Sequence, residues 1–430
     1  MLKINKKLQI CLLLTLGIFT SRSVYAETLV GAFTKAYTQN AKLNSERAAA
    51  RISDDDLVIA RSGLFPRIEG VGSYGWHKDV SGLHGSSGSI GIKLSQRLFD
   101  GLSTQNLFFS AQVKMRAQRE YLRNAEQNMF LDAVTAYANL YQARRVAALR
   151  RENLAALEEQ VRSNKAKLDV GEGERVDFAQ AQAAYSIAVS ELSLARANIK
   201  SAEAMYRKII GSDPGELERP LAAKELPADL NVAYKIGSIM HPAILYARYL
   251  TDASSYNVKA KEGEFLPKVD FSATTSYNRI YSGPGENGFS QSVGLSVSVP
   301  IFEGGRASAQ VRQAKEAHEQ ARLQLDLAHS DMRQALTSSW FQLEGARASV
   351  VAYRESVRAA EVAFKGRIQE NRVGQATTLD VLNSRTQLIN AQIALATAER
   401  DAVIASYSVQ SSIGKLTADY LGVKVAQYIR

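Results

Sequence analysis

The sequence contains little of the material from which metal sites, disulfides and catalytic centres are built. Its 430 residues include one cysteine and five histidines, too few for a disulfide framework or a cluster of metal ligands. No phosphate-binding loop and no Ser/His/Asp arrangement is evident. We therefore expect no cofactor, no metal site and no enzymatic activity.

Clustered positive charge is also missing. The 53 basic and 43 acidic residues give a net charge of +10, but the bases are not gathered on one element. A nucleic-acid-binding protein typically concentrates its bases on one face or one helix. We therefore expect no nucleic-acid partner.

Proline is rare, with eight residues in the whole chain. Two stretches of about 65 to 70 residues, after Gly101 and after Gly305, contain none, and each would span roughly 100 Å as a helix. Alanine, glutamine, serine and leucine dominate them. This composition is typical of very long helices rather than of two or three ordinary domains.

The first 26 residues contain no acidic side chain. Three lysines precede an apolar run over residues 10–19, and Ala26 provides a small residue before a cleavage point. This pattern predicts a secretory signal peptide over residues 1–26, since ten apolar residues are too few to cross a bilayer. The lone Cys11 lies in this segment, so the mature chain would contain no cysteine.

The rest of the chain is a tandem duplication with an offset of 203 residues. Val170-Gly171 maps onto Val373-Gly374, Asp177 onto Asp380, and Phe99-Asp100-Gly101 onto Phe302-Glu303-Gly304. Several such matches in the same order indicate a repeated structural unit. We predict a first repeat over 27–211, an inter-repeat segment over 212–262, the rest of the second repeat over 263–414, and a C-terminal tail over 415–430.

Within each repeat the same elements are predicted in the same order. Each copy has a β-hairpin (strands ~67–77 and ~89–99, then ~268–278 and ~291–301) followed by a long helical hairpin (~102–211 turning near 171, then ~305–414 turning near 374). The returning helix of the first copy has apolar residues at alternating steps of three and four, which indicates a coiled-coil seam. The seam comprises Phe178, Ala181, Tyr185, Ala188, Leu192, Ala195, Ile199, Ala202 and Tyr206. In the second copy a further stripe predicts packing between two neighbours, as in a cylinder of helices; an ordinary antiparallel bundle stays open as an alternative.

The four predicted strands alternate in polarity, as in Ile90, Ile92 and Leu94 against serines, glycines and Lys93. Their length of about ten residues and this alternation are typical of transmembrane β-strands. A soluble β-sandwich would alternate in the same way, but four strands provide no second sheet to cover the apolar face. Four strands also cannot close alone, and an open edge in lipid leaves backbone groups unpaired. The barrel must therefore be shared, with eight strands from two chains or twelve from three.

These motifs together resemble the TolC family of outer-membrane channels. The resemblance rests on the duplicated plan, on Leu98-Phe99-Asp100-Gly101 and Ile301-Phe302-Glu303-Gly304-Gly305, on His241-Pro242 with Leu266-Pro267, and on Val170-Gly171 with Val373-Gly374. It implies a mainly α fold with a transmembrane β-barrel part: a homotrimer with a twelve-stranded barrel in the outer membrane and a coiled-coil α-barrel in the periplasm. It also implies a mixed region around the helices, to which we assign residues 27–~60, ~212–262 and 415–430. The implied partners are a periplasmic adaptor, an inner-membrane ABC or proton-driven transporter, and outer-membrane lipid.

The resemblance also locates a candidate site at the periplasmic end, where the family's channels close. Asp380 matches one of two aspartates that ring the entrance, while Asn383 occupies the other position. A carboxylate ring of this kind would favour cations; Asp380 could instead cap its helix. Asp177 matches a partner in the polar links that hold the entrance shut.

The basic partner of those links is missing, because Ala376 stands at its position. Arg175 or Arg372 could replace it. Gly171 and Gly374 are expected at the hairpin turns, where the adaptor would dock.

The leading functional hypothesis is therefore a passive exit duct of a tripartite export system. The segment from Val170 to Pro220 resembles that of family members that serve type I protein secretion, which favours secretion, with multidrug efflux as the alternative. A non-conducting, adhesive surface coiled-coil protein is the competing hypothesis of another class, and an enzyme is a distant third.

Overall fold

A computed structural model describes residues 26–78, 80, 82, 84–283 and 285–423. The predicted signal peptide lies outside these residues except for Ala26. The helices are α1 (Leu29–Gln39), α2 (Ala41–Ser62), α3 (Ser103–Asp169), α4 (Arg175–Ile210), α5 (Leu230–Met240), α6 (Pro242–Gly263), α7 (Arg306–Arg372) and α8 (Thr378–Ser412). The strands are β1 (Arg67–Lys78), β2 (His84–Phe99), β3 (Lys268–Ser282) and β4 (Gly288–Ser298).

The two long helical hairpins pair α3 with α4 and α7 with α8, and α8 also packs against α3. The outgoing helices α3 and α7 each have 67 residues, which corresponds to roughly 100 Å. All nine residues of the predicted seam on α4 are buried or half-buried. In the part of the chain that the structure describes, no helix is both long and apolar enough to span a membrane.

The four strands form one antiparallel sheet in the order β1-β2-β3-β4. One face carries the apolar residues, and within a single chain this face is uncovered, with Ile90 71%, Val293 75% and Phe289 81% exposed. The predicted alternation is therefore present on a sheet that has no covering layer among the described residues. The chain leaves both edges of the sheet, β1 and β4, free to pair with other copies.

Strand limits differ from the predicted ones at three places. β2 begins at His84 rather than near 89, because the backbone of residues 84–88 continues the ladder with β1. β3 continues to Ser282, four residues beyond the prediction. β4 runs from Gly288 to Ser298 rather than from 291 to 301, and it stops before Pro300, whose nitrogen cannot donate to a ladder.

Part of the predicted belt around the helices belongs instead to the helical layer. Residues 242–262, assigned above to the inter-repeat segment, form helix α6 together with Gly263, and this helix packs along α3 and α7. Its buried side includes Ile244, Ala247, Ala253 and Ala260. The three alanines let α6 approach its neighbours closely, so only the part of the inter-repeat segment before Pro242 remains in the predicted belt.

A compact core lies halfway along the long helices. Phe33 of α1 packs edge-on against Phe130 of α3, with ring centroids 5.6 Å apart. Residue Glu27 forms a parallel bridge with Leu217, and the hydroxyl of Tyr137 lies 2.5 Å and 2.8 Å from the carbonyl oxygens of Glu27 and Glu218. The segments that precede α1 and follow α4 are therefore joined on the surface of α3.

A half-buried histidine, His241, caps the start of helix α6. His241 Nδ1 accepts a hydrogen bond from the backbone N–H of Ala243 at 3.2 Å, and burial lowers the pKa of His241 from 6.5 to about 4. Its contribution to stability is thus full above pH 6.5 and is lost as the pH falls towards 4, where the unfolded chain binds the proton first.

We expect acidification from pH 6.5 to 4 to cost at most about 3 kcal/mol through this residue. In His241→Asn the side chain still caps the helix but does not titrate, so the fall in melting temperature over this interval should be shallower. Thermal unfolding of the trimer in detergent at several pH values measures this. Identical profiles for both proteins would contradict the role of His241.

Candidate functional site

The site is built by the ends of the two helical hairpins. Each turn contains one glycine with a left-handed backbone, Gly171 at φ +81° and Gly374 at φ +75°. Such a φ favours glycine over all other residues. Among the described residues, no atom lies within 4 Å of where a Cβ would stand at either position. Backbone conformation alone therefore requires glycine there, and the outer surface of both turns is open.

Each turn is fastened by an asparagine. Asn164 Nδ2 donates to the backbone carbonyl of Asp177 at 3.0 Å, and Asn371 Nδ2 donates to the carbonyl of Ala376 at 2.8 Å. Both bonds join the end of an outgoing helix to the start of the returning one. The first residues of each returning helix are thus fixed relative to the partner helix.

Asp380 takes part in a reciprocal cap at the start of α8. Its backbone N–H donates to Thr377 Oγ1 at 3.2 Å, while the backbone N–H and hydroxyl of Thr377 donate to Asp380 Oδ2 at 2.9 Å and 2.8 Å. These hydrogen bonds lower the pKa of Asp380 below its usual value, with a smaller contribution from the charge of Arg367. The side chain is therefore a carboxylate at neutral pH, in a fixed orientation.

The other predicted residues have fewer contacts. Asn383, Arg175 and Arg372 are exposed, and Asp177 is half-buried with its backbone carbonyl bound by Asn164. In the described part of this single chain, neither arginine lies within 4 Å of a carboxylate. One copy therefore does not bring Asp177 together with either candidate basic partner.

The two hairpin tips are not level. Leu382 packs with Leu157 and Ala188, although Leu382 comes eight residues after Gly374 and Leu157 comes fourteen residues before Gly171. At 1.5 Å per residue the first hairpin therefore extends roughly 10 Å further. Asp177 and Asp380 each lie six residues after their glycine, so they occupy different levels along the bundle.

Arg385 links the two hairpins close to these tips. Its Nε donates to Asn153 Oδ1 at 2.8 Å and its Nη2 to the carbonyl of Glu152 at 3.3 Å. The guanidinium carbon lies 5.6 Å from the ring centroid of Phe364, and burial lowers the pKa of Arg385. Helix α8 is thereby joined to α3 and α7 at one point.

Sequence reasoning did not identify Arg385. A signal was present, because Arg385 comes three residues after Leu382 and four before Ile389. This spacing places a charged side chain in the seam between apolar residues, where it requires a buried polar partner.

The chain is similar to known proteins over nearly its whole length. The outer membrane efflux protein family matches residues 33–212 and 239–415. The chain is 47% identical to the outer membrane efflux protein BepC of Brucella suis biovar 1 (strain 1330), over 97% of this chain and 91% of that protein. It is 26% identical to the outer membrane protein TolC of Escherichia coli (strain K12), over 96% and 87%.

The open-state structure of the MtrE outer membrane channel of Neisseria gonorrhoeae superposes with a TM-score of 0.79 at 19% identity, covering 90% of this chain and 89% of that one. This likeness confirms the predicted fold of helical barrel and β-barrel. The match to the outer membrane efflux protein family and the similarity to TolC confirm localisation in the outer membrane with extension into the periplasm. The chain belongs to the outer membrane efflux protein family, the TolC-type export channels that act as homotrimers with a periplasmic adaptor and an inner-membrane transporter.

Proposed function

We propose that the tips of the two long hairpins form the periplasmic entrance of this export channel, and that Asp380 sets its ion preference. The reciprocal cap with Thr377 supports this assignment, because it holds the carboxylate charged and oriented. Three copies near a three-fold axis would attract cations and repel anions. Asn383, one helical turn further on, would add a ring of amides.

The other residues of the predicted site have supporting roles in this proposal. Asp177 belongs to the links that close the entrance, and its partner is Arg175 or Arg372 of a neighbouring copy. The open surfaces at Gly171 and Gly374 receive the adaptor. The duct itself performs no chemistry, and transport is driven by the inner-membrane transporter.

A pair of substitutions separates the ion-selective role of Asp380 from its capping role. Asp380→Asn removes the charge but keeps an oxygen that can accept from the helix N-terminus. Thr377→Ala removes the capping hydroxyl but keeps the charge and the backbone N–H of residue 377 that donates to Asp380 Oδ2. We expect the cation preference, measured as a reversal potential in planar bilayers, to fall in Asp380→Asn alone. A fall in both variants would assign Asp380 to capping only.

Asp177→Ala is expected to raise conductance, since it removes a link that closes the entrance. Wild-type conductance and selectivity in both Asp177→Ala and Asp380→Ala would contradict the location of the entrance altogether.

The substrate class follows from the partners that the trimer engages. The name of the Brucella relative, an outer membrane efflux protein, favours efflux, whereas the resemblance of the segment from Val170 to Pro220 to secretion members of the family favours protein secretion. Deletion of the gene distinguishes the two: increased sensitivity to toxic compounds supports efflux, and retention of an exported protein in the cell supports secretion.

A further inference from the structure

The sheet has a polar face whose composition changes along its length. The register places odd-numbered residues of β1 and β2 on the same face as even-numbered residues of β3 and β4. This face is opposite the apolar one, so it lines the lumen once three sheets close into a barrel. Beyond the base of the strands it carries hydroxyls and glycines together with Val71, His77, Asn278 and Ile280, and Ser73 and Ser89 hydrogen-bond across it at 2.8 Å.

On the inward strand positions, the charged residues lie at the base of the sheet, the end next to the long helices. Four of them are basic and two are acidic: Arg67, Lys93, Arg97 and Lys268 against Glu69 and Asp270. The register places these residues next to one another on adjacent strands, because Glu69 lies opposite Lys93 and Arg97 lies opposite Asp270. The base of the sheet therefore carries an excess of two positive charges per chain.

Both acids are already paired with arginines. Arg67 Nε lies 2.5 Å from Glu69 Oε1, and Arg97 Nε lies 3.1 Å from Asp270 Oδ1. In the portion of the chain described, neither Lys93 nor Lys268 has a carboxylate within 4 Å.

The next carboxylate along the chain, Asp100, is buried and accepts hydrogen bonds from the backbone N–H and hydroxyl of Thr104. It therefore points into the start of α3 and does not balance the two lysines.

We propose that Lys93 and Lys268 form a cationic band at the base of the barrel, which attracts anions and sets a second selectivity step in the duct. Three chains place six ammonium groups around the lumen, opposite in sign to the Asp380 ring at the far end. The inference rests on the proposed duct, because both rings act only on solutes that pass through it. Its consequence is a preference for anionic over cationic substrates of equal size within the barrel.

The test uses the whole trimer in planar bilayers, with Asp380→Asn as the parent so that the entrance ring does not mask the band. Under a KCl gradient the reversal potential gives the permeability ratio of chloride to potassium. We expect Lys93→Gln combined with Lys268→Gln to lower this ratio about threefold, since six charges near the path are removed.

Two further variants separate charge from structure. Thr274 lies directly opposite Lys93 in the register, so adding Thr274→Lys to the double variant returns an ammonium to the same level and is expected to recover part of the ratio. Lys78→Gln removes one lysine charge per chain at the other end of β1, from a position on the opposite face of the sheet, and should leave the ratio unchanged.

A second measurement tests whether the cationic band is reached from the barrel side of the membrane. In the wild-type trimer, inorganic tripolyphosphate added on the barrel side should reduce conductance, and the double variant should resist this block. Conduction with an unaltered permeability ratio and undiminished block in the double variant would overturn the band alone. Failure of all the proteins to conduct would overturn the duct and the band with it.

Discussion

Replacement of Gly101 by alanine is expected to prevent assembly of the trimer. Gly101 follows β2 with φ +68°, and a Cβ at this position would overlap the backbone carbonyl of Gly263 at the end of α6. The left-handed backbone alone costs an alanine roughly 1–2 kcal/mol. The overlap adds to this cost, because the added Cβ is fixed to the backbone of residue 101 and the oxygen of Gly263 is itself a backbone atom. Neither atom can be moved aside by rotating a side chain. Quantifying trimers extracted from the outer membrane measures the effect.

The duplicated chain supplies a matched control at Gly304, the equivalent of Gly101 in the second copy. Its φ is +60°, but no described atom lies within 4 Å of the added Cβ. Gly304→Ala should therefore incur the backbone strain and keep most of the trimer. Equal trimer yields for the two variants would show that contact with Gly263 is not what limits assembly.

Arg385→Ala should increase the conductance of the resting channel several-fold. The substitution removes the hydrogen bonds from α8 to Asn153 and Glu152 together with the contact to Phe364. Hydrogen bonds to a charged group contribute about 1.5–3 kcal/mol to stability. Their loss therefore allows the start of α8, near the hairpin turn, to move away from α3. Single-channel recording at fixed voltage measures the change.

Arg358→Ala is the appropriate comparison. Arg358 forms an exposed pair with Glu355 three residues earlier on the same helix, and such pairs contribute little to stability. Resting conductance should be unchanged in Arg358→Ala. A lysine at position 385 keeps the charge but not the planar fork, and we expect it to give an intermediate conductance. If Arg385→Ala matched the wild type, helix α8 would be held by its apolar seam alone.

Much of this architecture could be predicted because its determinants are local and repeated. The strands are visible from alternating polarity, and the turns from glycines that recur 203 residues apart. The early start of β2 was missed because the glycines and serines of residues 85–88 show no alternation, although their backbone still pairs. Helix α6 was assigned to the belt because its buried side consists largely of small residues, which give little contrast with the exposed side.

The site was predictable only where it depends on one helix end. The capping role of Asp380 follows from Thr377 three residues earlier. The bond from Arg385 to Asn153 joins residues 232 positions apart, and no local pattern specifies that pairing. Contacts of Asp177 with a neighbouring copy depend on the geometry of the trimer, which a single sequence does not determine.

The unequal reach of the two hairpins has a consequence for symmetry. Six hairpins from three chains would approximate a six-fold ring if the repeats were equivalent. An offset of roughly 10 Å between their tips instead gives a ring in which tips that extend further alternate with tips that extend less far. A partner ring with six identical subunits cannot contact all six points in the same way. Such a partner must bind as three pairs, with one member of each pair reaching further than the other.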